Sequence, residues 1–315
     1  MVENIKILGY DDVDPLQALN LNLIALDFAL TPERAAQIRR TDLRPFPCFT
    51  INAVKDNVVV GQVEVSRLPM VSSEGREDVG GVWAVSTLPQ HAGYAIASTL
   101  LEEAHNRMRD AGLRFSTLRT NRSHISYRLY KRYGYVDMNI WATGLARWET
   151  AHQPTRLQSV SVGSSEYDLV KRVFVNVAGD YLGFAWRHTP FAHFRDELRT
   201  EDIRILCENN RPIGYALASV NQSILFVCDL VLRMGVNPAE AIAALASQVR
   251  TAYVQVKINR PVEIASLRQA GYQVTHPDWS AFMLKPLIPK VTVEDARRLF
   301  GIDTDRFLIS WLDTT

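Results

Sequence analysis

The stretch Val82-Trp83-Ala84-Val85-Ser86-Thr87-Leu88-Pro89-Gln90-His91-Ala92-Gly93-Tyr94-Ala95 decides the fold. The apolar run Gly81–Ser86 predicts a short buried strand. Tyr94–Arg109 predicts a helix, with Ala95, Leu100, Leu101, Ala104 and Met108 on one stripe and Ala111-Gly112 at its end. Between them, Gln90-x-x-Gly93-x-Ala95 places small residues at a helix start. Free backbone N–H groups and the positive end of the helix dipole meet there, which suits an anion such as a pyrophosphate. Gly93 leaves no Cβ in the way, and Ala95 keeps the first turn small.

Working outward, Phe115–Arg119 predicts a strand and Ser123–Lys131 a helix ended by Tyr133-Gly134-Tyr135. Asn139–Ala146 follows as the last strand of this unit. On the other side, Asp14-Pro15 opens a helix carrying Leu16, Leu19, Leu23 and Leu26, and Thr31 caps a second one. Cys48–Val54 and Val58–Leu68 form a hairpin about Lys55-Asp56-Asn57. Met70–Val79 is polar, contains Gly75, and is expected to be a loop able to act as a lid.

Gln153-Pro154-Thr155 interrupts the pattern and sets a boundary near residue 150. The second half repeats the order of the first. A helix over Glu166–Val177 precedes strands Ile203–Glu208 and Pro212–Val220 around Asn209-Asn210-Arg211, then strand Ile224–Leu232. Helix Pro238–Arg250, strand Ala252–Ile258, helix Pro261–Ala270 and strand Ala281–Pro286 complete it. Val59-Val60-Gly61-Gln62 matches Pro212-Ile213-Gly214-Tyr215, Ala95-Ile96-Ala97 matches Ala241-Ile242-Ala243, and Gly134-Tyr135 matches Gly271-Tyr272, in the same order. Such self-similarity implies two copies of one fold. The fold class is therefore mixed α/β: two tandem domains, 1–150 and 151–315, each a mainly antiparallel sheet flanked by helices.

Composition narrows the function. At about 100–200 residues per domain, 315 residues make two domains, and 47% apolar residues can give each a core. Lys plus Arg is 35 and Asp plus Glu 34, which leaves no basic footprint for nucleic acid. The apolar run Leu21–Leu30 is broken by Asn22 and Asp27, so no membrane span is expected, nor a signal peptide from the N-terminus. Cys48, Cys207 and Cys228 form no CxxC and are expected to be buried thiols in a reducing, cytoplasmic setting. No HxxxH or HExxH spacing supports a metal site.

The phosphate-binding turn is followed by Leu129-Tyr130-Lys131-Arg132-Tyr133-Gly134-Tyr135. Together they resemble the GNAT acyltransferase superfamily, whose loop reads [Gln/Arg]-x-x-Gly-x-[Gly/Ala] and whose later helix ends Leu-Tyr-x-x-x-Gly-[Phe/Tyr]. The resemblance covers about residues 1–147. It implies acetyl-CoA as acyl donor and direct transfer to a primary amine of a small molecule or peptide. It also implies roles. Backbone groups of Ala84 and Val85 would pair with the pantetheine arm. N–H groups of Gln90, His91, Ala92, Gly93, Tyr94 and Ala95 would hold the pyrophosphate. Ser123 and Ser126 would line the other side of the cofactor, and Tyr130 would protonate the departing thiolate. For the base, Gly81–Ser86 offers no carboxylate; Glu64, Glu77, Asp78 or a water chain are the alternatives.

The second copy lacks the loop motif and has Leu267 where the first has Tyr130. That asymmetry resembles the enhanced-intracellular-survival group of tandem GNAT enzymes, without their sterol-carrier-like domain. The resemblance would place the terminal carboxylate, here Thr315, in the active site. Mycothiol synthases, whose second half is the active one, fit less well. Tyr181–His188 is aromatic and cationic, and would either line an acceptor pocket or pack between the halves. A non-catalytic acyl-CoA-binding module and a transferase of longer acyl or aminoacyl groups are the rival functions. The state of oligomerisation is left open.

Overall fold

Asp56 and Asn57 take φ of 50° and 63°, and Asn209 and Asn210 take 50° and 61°. Two consecutive left-handed residues make the two-residue turn whose twist suits a β-hairpin. Both expected hairpins are thus present, at equivalent places in the two halves. The computed structural model describes residues 5–29, 31–41, 49–162, 167–184 and 202–310.

The first half contains β1 (Lys6–Leu8), α1 (Pro15–Leu26), α2 (Pro32–Thr41), β2 (Phe49–Lys55), β3 (Val58–Ser72) and β4 (Gly75–Thr87). It continues with α3 (Ile96–Asp110), β5 (Phe115–Asn121), α4 (Ile125–Arg132), β6 (Val136–Asp137), β7 (Ala142–Arg147) and α5 (Trp148–Ala151). The second half contains β8 (Leu157–Ser161), α6 (Tyr167–Ala178), β9 (Leu182–Gly183), β10 (Ile203–Glu208), β11 (Arg211–Asn221) and β12 (Ile224–Leu232). Then come α7 (Pro238–Ala246), β13 (Tyr253–Ile258), α8 (Pro261–Gln269), β14 (Gln273–Thr275), β15 (Ser280–Pro286), α9 (Val293–Phe300) and β16 (Phe307–Leu308).

One sheet runs β1-β2-β3-β4-β5-β15-β6 and the other β14-β7-β13-β12-β11-β10-β8. The two halves exchange strands. β7, expected to close the first unit, pairs antiparallel with β13 and β14. β15, expected to close the second, pairs antiparallel with β5 and β6. Strands from both sides of the boundary expected at residue 150 share each sheet. An alternating apolar pattern fixes which face a residue takes, not which sheet the strand joins.

Helix α3 packs on one face of the first sheet through Leu100, Leu101, Ala104 and Met108. Gly61 and Gly80 lie beneath it: a Cβ there would come within 2.5 Å of Ile96 Cγ2 and 2.0 Å of Met108 Sδ. A separate core fills the second sheet around Ala241, Ile242, Ala244, Leu245 and Leu267. A third, with Leu68, Met70, Val79, Phe184, Phe282, Phe300 and Phe307, joins residues of both halves.

Met70–Val79 is not a loop. β3 and β4 pair on to Ser72↔Gly75, and Met70 and Val79 are both wholly buried. The third core draws these apolar residues into the ladder, and Glu77 is held by Arg114 at 2.6 Å. The stretch cannot serve as a lid. Near the C-terminus, β16 pairs parallel with β9, which touches β3 of the first half. Phe307 and Ile309 enter the third core, while Leu308 packs with Tyr181 and Val231 of the second half. Residues 311–315, with Thr315, lie outside the described residues, as do Cys48 and residues 185–188. The described part of Tyr181–His188 is core: Tyr181 Oη donates to Leu232 O at 2.8 Å and Phe184 joins the third cluster. Cys207 is buried and Cys228 half-buried, both as free thiols. Among the described residues no helix is long and apolar enough to cross a membrane.

Candidate functional site

Strands β4 and β5 run parallel for two rungs only, Gly80↔Ser116 and Gly81↔Thr117. Beyond them β4 continues to Thr87 and β5 to Asn121 without pairing to each other. On its far edge β4 carries a bulge: Gln62 faces Ser86, but Glu64 faces Trp83. Ala84, inside the bulge, has φ 48°. That left-handed conformation costs an alanine roughly 1–2 kcal/mol and re-aims the backbone. The result is a wedge-shaped opening whose β4 edge, including Ala84 and Val85, presents unpaired peptide groups. These need partners.

The turn that follows is a 3-10 turn at Pro89–His91, then Gly93 at φ 84° and Ala95 at φ 58°. A Cβ on Gly93 would meet nothing within 4 Å, so the turn faces open space. Ala95 is the N-cap of α3 and gives no side-chain cap; no acidic residue stands in the first turn. The first N–H groups of α3 have no intrahelical acceptor. The equivalent helix of the second half is different. Asn237 Oδ1 caps the Ala239 N–H of α7 at 2.9 Å, and Pro238 removes another donor. Its start therefore has fewer free N–H groups to offer an anion.

Tyr130, on α4, is 7% exposed. Burial pushes its phenol up to about 12, so it stays protonated at neutral pH. Its hydroxyl has no hydrogen-bond partner among the described residues. Ser123 and Ser126 turn back toward β5: Ser123 Oγ donates to Asn121 Oδ1 at 2.8 Å, and Ser126 Oγ lies 3.1 Å from Thr120 Oγ1. Of the proposed bases, Glu77 is paired with Arg114, and Asp78 with Arg76 at 3.1 Å and Arg67 at 3.7 Å. At about 3.3 Å per residue both also sit some 20 Å along β4 from the bulge. Glu64 is the carboxylate paired with the bulge itself.

One group was missed from sequence. Asn52, Gln62 and Ser86 stand opposite one another in one row across β2, β3 and β4, on the face away from α3. They are 0%, 1% and 3% exposed. Asn52 Oδ1, Gln62 Oε1, Trp83 Nε1 and Ser86 Oγ are all buried without a partner. Asn52 Nδ2 donates to Gly9 O at 3.3 Å and Gln62 Nε2 donates to Glu64, so the nitrogen of each amide is used while its oxygen is not. The available signal was a polar residue at alternate positions of two apolar strands.

Below Tyr130 lies a buried polar chain. Tyr135 packs edge-on to it, centroids 5.9 Å apart. Tyr135 Oη is 2.7 Å from Ser116 Oγ and 3.0 Å from His105 Nε2; His105 Nδ1 is 3.4 Å from Lys285 Nζ. Burial first, then the charges of Lys285 and Arg109, push His105 down to about 3 from 6.5. Between those values the unfolded chain binds a proton that the folded chain refuses, so stability falls as pH drops below about 6.5. At pH 5 this residue should remove about 2 kcal/mol relative to pH 8. Urea denaturation at both pH values, in the natural chain and in His105→Gln, checks this. An equal acid loss in both would assign the slope elsewhere.

Residues 20–137 match the family model described as an acetyltransferase (GNAT) domain. No curated protein sequence matches the chain. Among solved structures, a probable N-acyltransferase from Enterococcus faecalis superposes with TM-score 0.70 at 14% identity, covering 90% of this chain and 72% of that one. Eis1 from Mycobacterium abscessus gives 0.62 at 15% identity, covering 90% and 74%. A GCN5-related N-acetyltransferase from Kribbella flavida gives 0.62 at 14%, covering 94% and 73%. At such identities the likeness is one of fold. Residues 20–137 are thus similar to a GNAT acetyltransferase domain, and the two-sheet fold is like that of the solved N-acetyltransferases.

Proposed function

We propose that the chain transfers an acetyl group from acetyl-CoA to a primary amine, in a site built by the first half. The opening between β4 and β5 carries this reading: a wedge of unpaired peptide edge leads to an uncapped helix start. The pantetheine arm carries amides that suit the free edge at Ala84 and Val85. Its pyrophosphate suits the N–H groups from Gln90, His91, Ala92, Gly93, Tyr94 and Ala95. Ser123 and Ser126 flank the opening. The bound thioester supplies an activated acyl carbon. The amine nitrogen forms a bond to that carbon as the carbon–sulfur bond breaks. Glu64 takes the amine proton, and Tyr130 gives its hydroxyl proton to the leaving sulfur.

The buried row Asn52–Gln62–Ser86 supports an amine as acceptor. Its free amide oxygens accept hydrogen bonds, and an ammonium is a donor only. A small cytoplasmic amine also suits a chain with balanced charge. Titration with acetyl-CoA, followed by a CoA-release assay across an amine panel, tests the reading. Binding without release on any amine would replace it with a non-catalytic acyl-CoA module. Gly93→Glu should weaken acetyl-CoA binding on the order of 100-fold, because it adds a carboxylate and strains a positive φ at the anion site. Unchanged affinity would move the pyrophosphate elsewhere.

A further inference from the structure

The buried chain beneath Tyr130 has a single direction. Ser116 Oγ donates its proton to Gly80 O at 3.0 Å, so it accepts from Tyr135 Oη. Tyr135 has then spent its proton and accepts from His105 Nε2–H. A neutral imidazole protonated at Nε2 leaves Nδ1 bare, and Nδ1 accepts from Lys285 Nζ. Lys285 also donates to Tyr133 O, at the end of α4. The chain runs from the ammonium of Lys285 to Gly80 O, on one of the two rungs before β4 and β5 part.

Two facts give this chain a purpose. Tyr130 has no hydrogen bond of its own hydroxyl among the described residues, so neighbours must hold its ring. Those neighbours are Tyr135, edge-on at 5.9 Å, and the helix end where Tyr133 N and Tyr135 N donate to Tyr130 O at 3.0 and 3.1 Å. Lys285 fastens both, and it arrives on β15, the strand exchanged from the second half.

We infer that Lys285 is a positioning residue for Tyr130: through His105 and Tyr135, and through the end of α4, the second half of the chain sets the phenol and the vertex of the opening. This rests on the acetyl-transfer reading, in which Tyr130 gives a proton. It assigns the half without a phosphate loop a part in the first half's chemistry. Lys285 itself touches neither donor nor acceptor.

The test is Lys285→Met, with Lys285→Arg as the conservative variant, each alone and combined with Tyr130→Phe. Displacing a reacting group by about 1 Å costs on the order of 100-fold. Lys285→Met should therefore lower kcat about 10–100-fold with the KM for acetyl-CoA within about twofold, and Lys285→Arg should recover most of it. In the Tyr130→Phe background Lys285→Met should lower kcat no further, since its effect passes through the phenol. An unchanged kcat in folded Lys285→Met, or an equal loss in both backgrounds, would overturn the inference. If Tyr130→Phe alone leaves kcat intact, the role of Tyr130 falls instead. A crystal structure of Lys285→Met gives a readout free of turnover: the Tyr130 hydroxyl should shift by about 1 Å or more. A phenol that stays in place refutes the inference whatever the activity.

Discussion

Replacing Asp278 by alanine should cost about 3–5 kcal/mol of folding stability, the usual loss when one partner of a buried ion pair is removed. The Asp278 side chain is 2% exposed. Its Oδ2 accepts from Lys257 Nζ and, at 2.8 Å, from Thr143 Oγ1; its Oδ1 accepts the Ser280 N–H at 2.7 Å. Arg122 donates to the carbonyls of Asp278 and Ser280 and forks onto Asp137 at 2.8 and 2.9 Å. Thr143 and Lys257 belong to the second sheet, Asp137 to the first, and Arg122 directly follows β5 of the first. Asp278 thus stands where the chain crosses back between sheets, and alanine would leave the half-buried Lys257 ammonium, over the Trp279 ring, without its carboxylate. Urea denaturation measures the loss. A change below about 1 kcal/mol, the size of an ordinary surface substitution or less, would mean that other contacts hold the crossing.

Tyr130→Phe should lower kcat by about 10²–10⁴-fold, the range for removing a general acid. The KM for acetyl-CoA should barely change, since the lost interaction is made only as the sulfur leaves. The substitution is clean. The hydroxyl has no partner to orphan and the ring keeps its packing on Tyr135, so stability should be unaffected. Because burial holds the phenol at about 12, the activity of the natural chain should not fall through its deprotonation anywhere near neutral pH. Steady-state rates from pH 6 to 9 check both points. Equal kcat in the two proteins at every pH would remove Tyr130 from the chemistry.

Much of this was legible in the residues themselves. Gln90-x-x-Gly93-x-Ala95 needs only local backbone, so its turn lies where the pattern put it. The paired hairpins at Asp56-Asn57 and Asn209-Asn210 were equally local. Partnership between distant strands was not. Ala142–Arg147 and Ser280–Pro286 have similar alternation, and nothing in either names its sheet. Met70–Val79 misled because the charges of Arg76, Glu77 and Asp78 hid two buried apolar positions. Glu77 and Asp78 were equally plausible bases by type; only their ion pairs and their distance along β4 remove them. The Asn52–Gln62–Ser86 row needed the register of three strands before its members could be seen as neighbours.

The exchange of strands also bears on how the chain reaches this structure. Arg122 and Asp278 are 156 positions apart, and His105 and Lys285 are 180 apart. Contacts so distant in sequence are made late and slowly, because a large loop must close before they repay its entropy. During synthesis the first sheet must wait for β15, which emerges only after every strand of the second sheet. Until then the edge of β5 stands open to any passing strand. The N-terminal half made alone would keep that open edge permanently, and would be expected to aggregate rather than to work as a smaller enzyme.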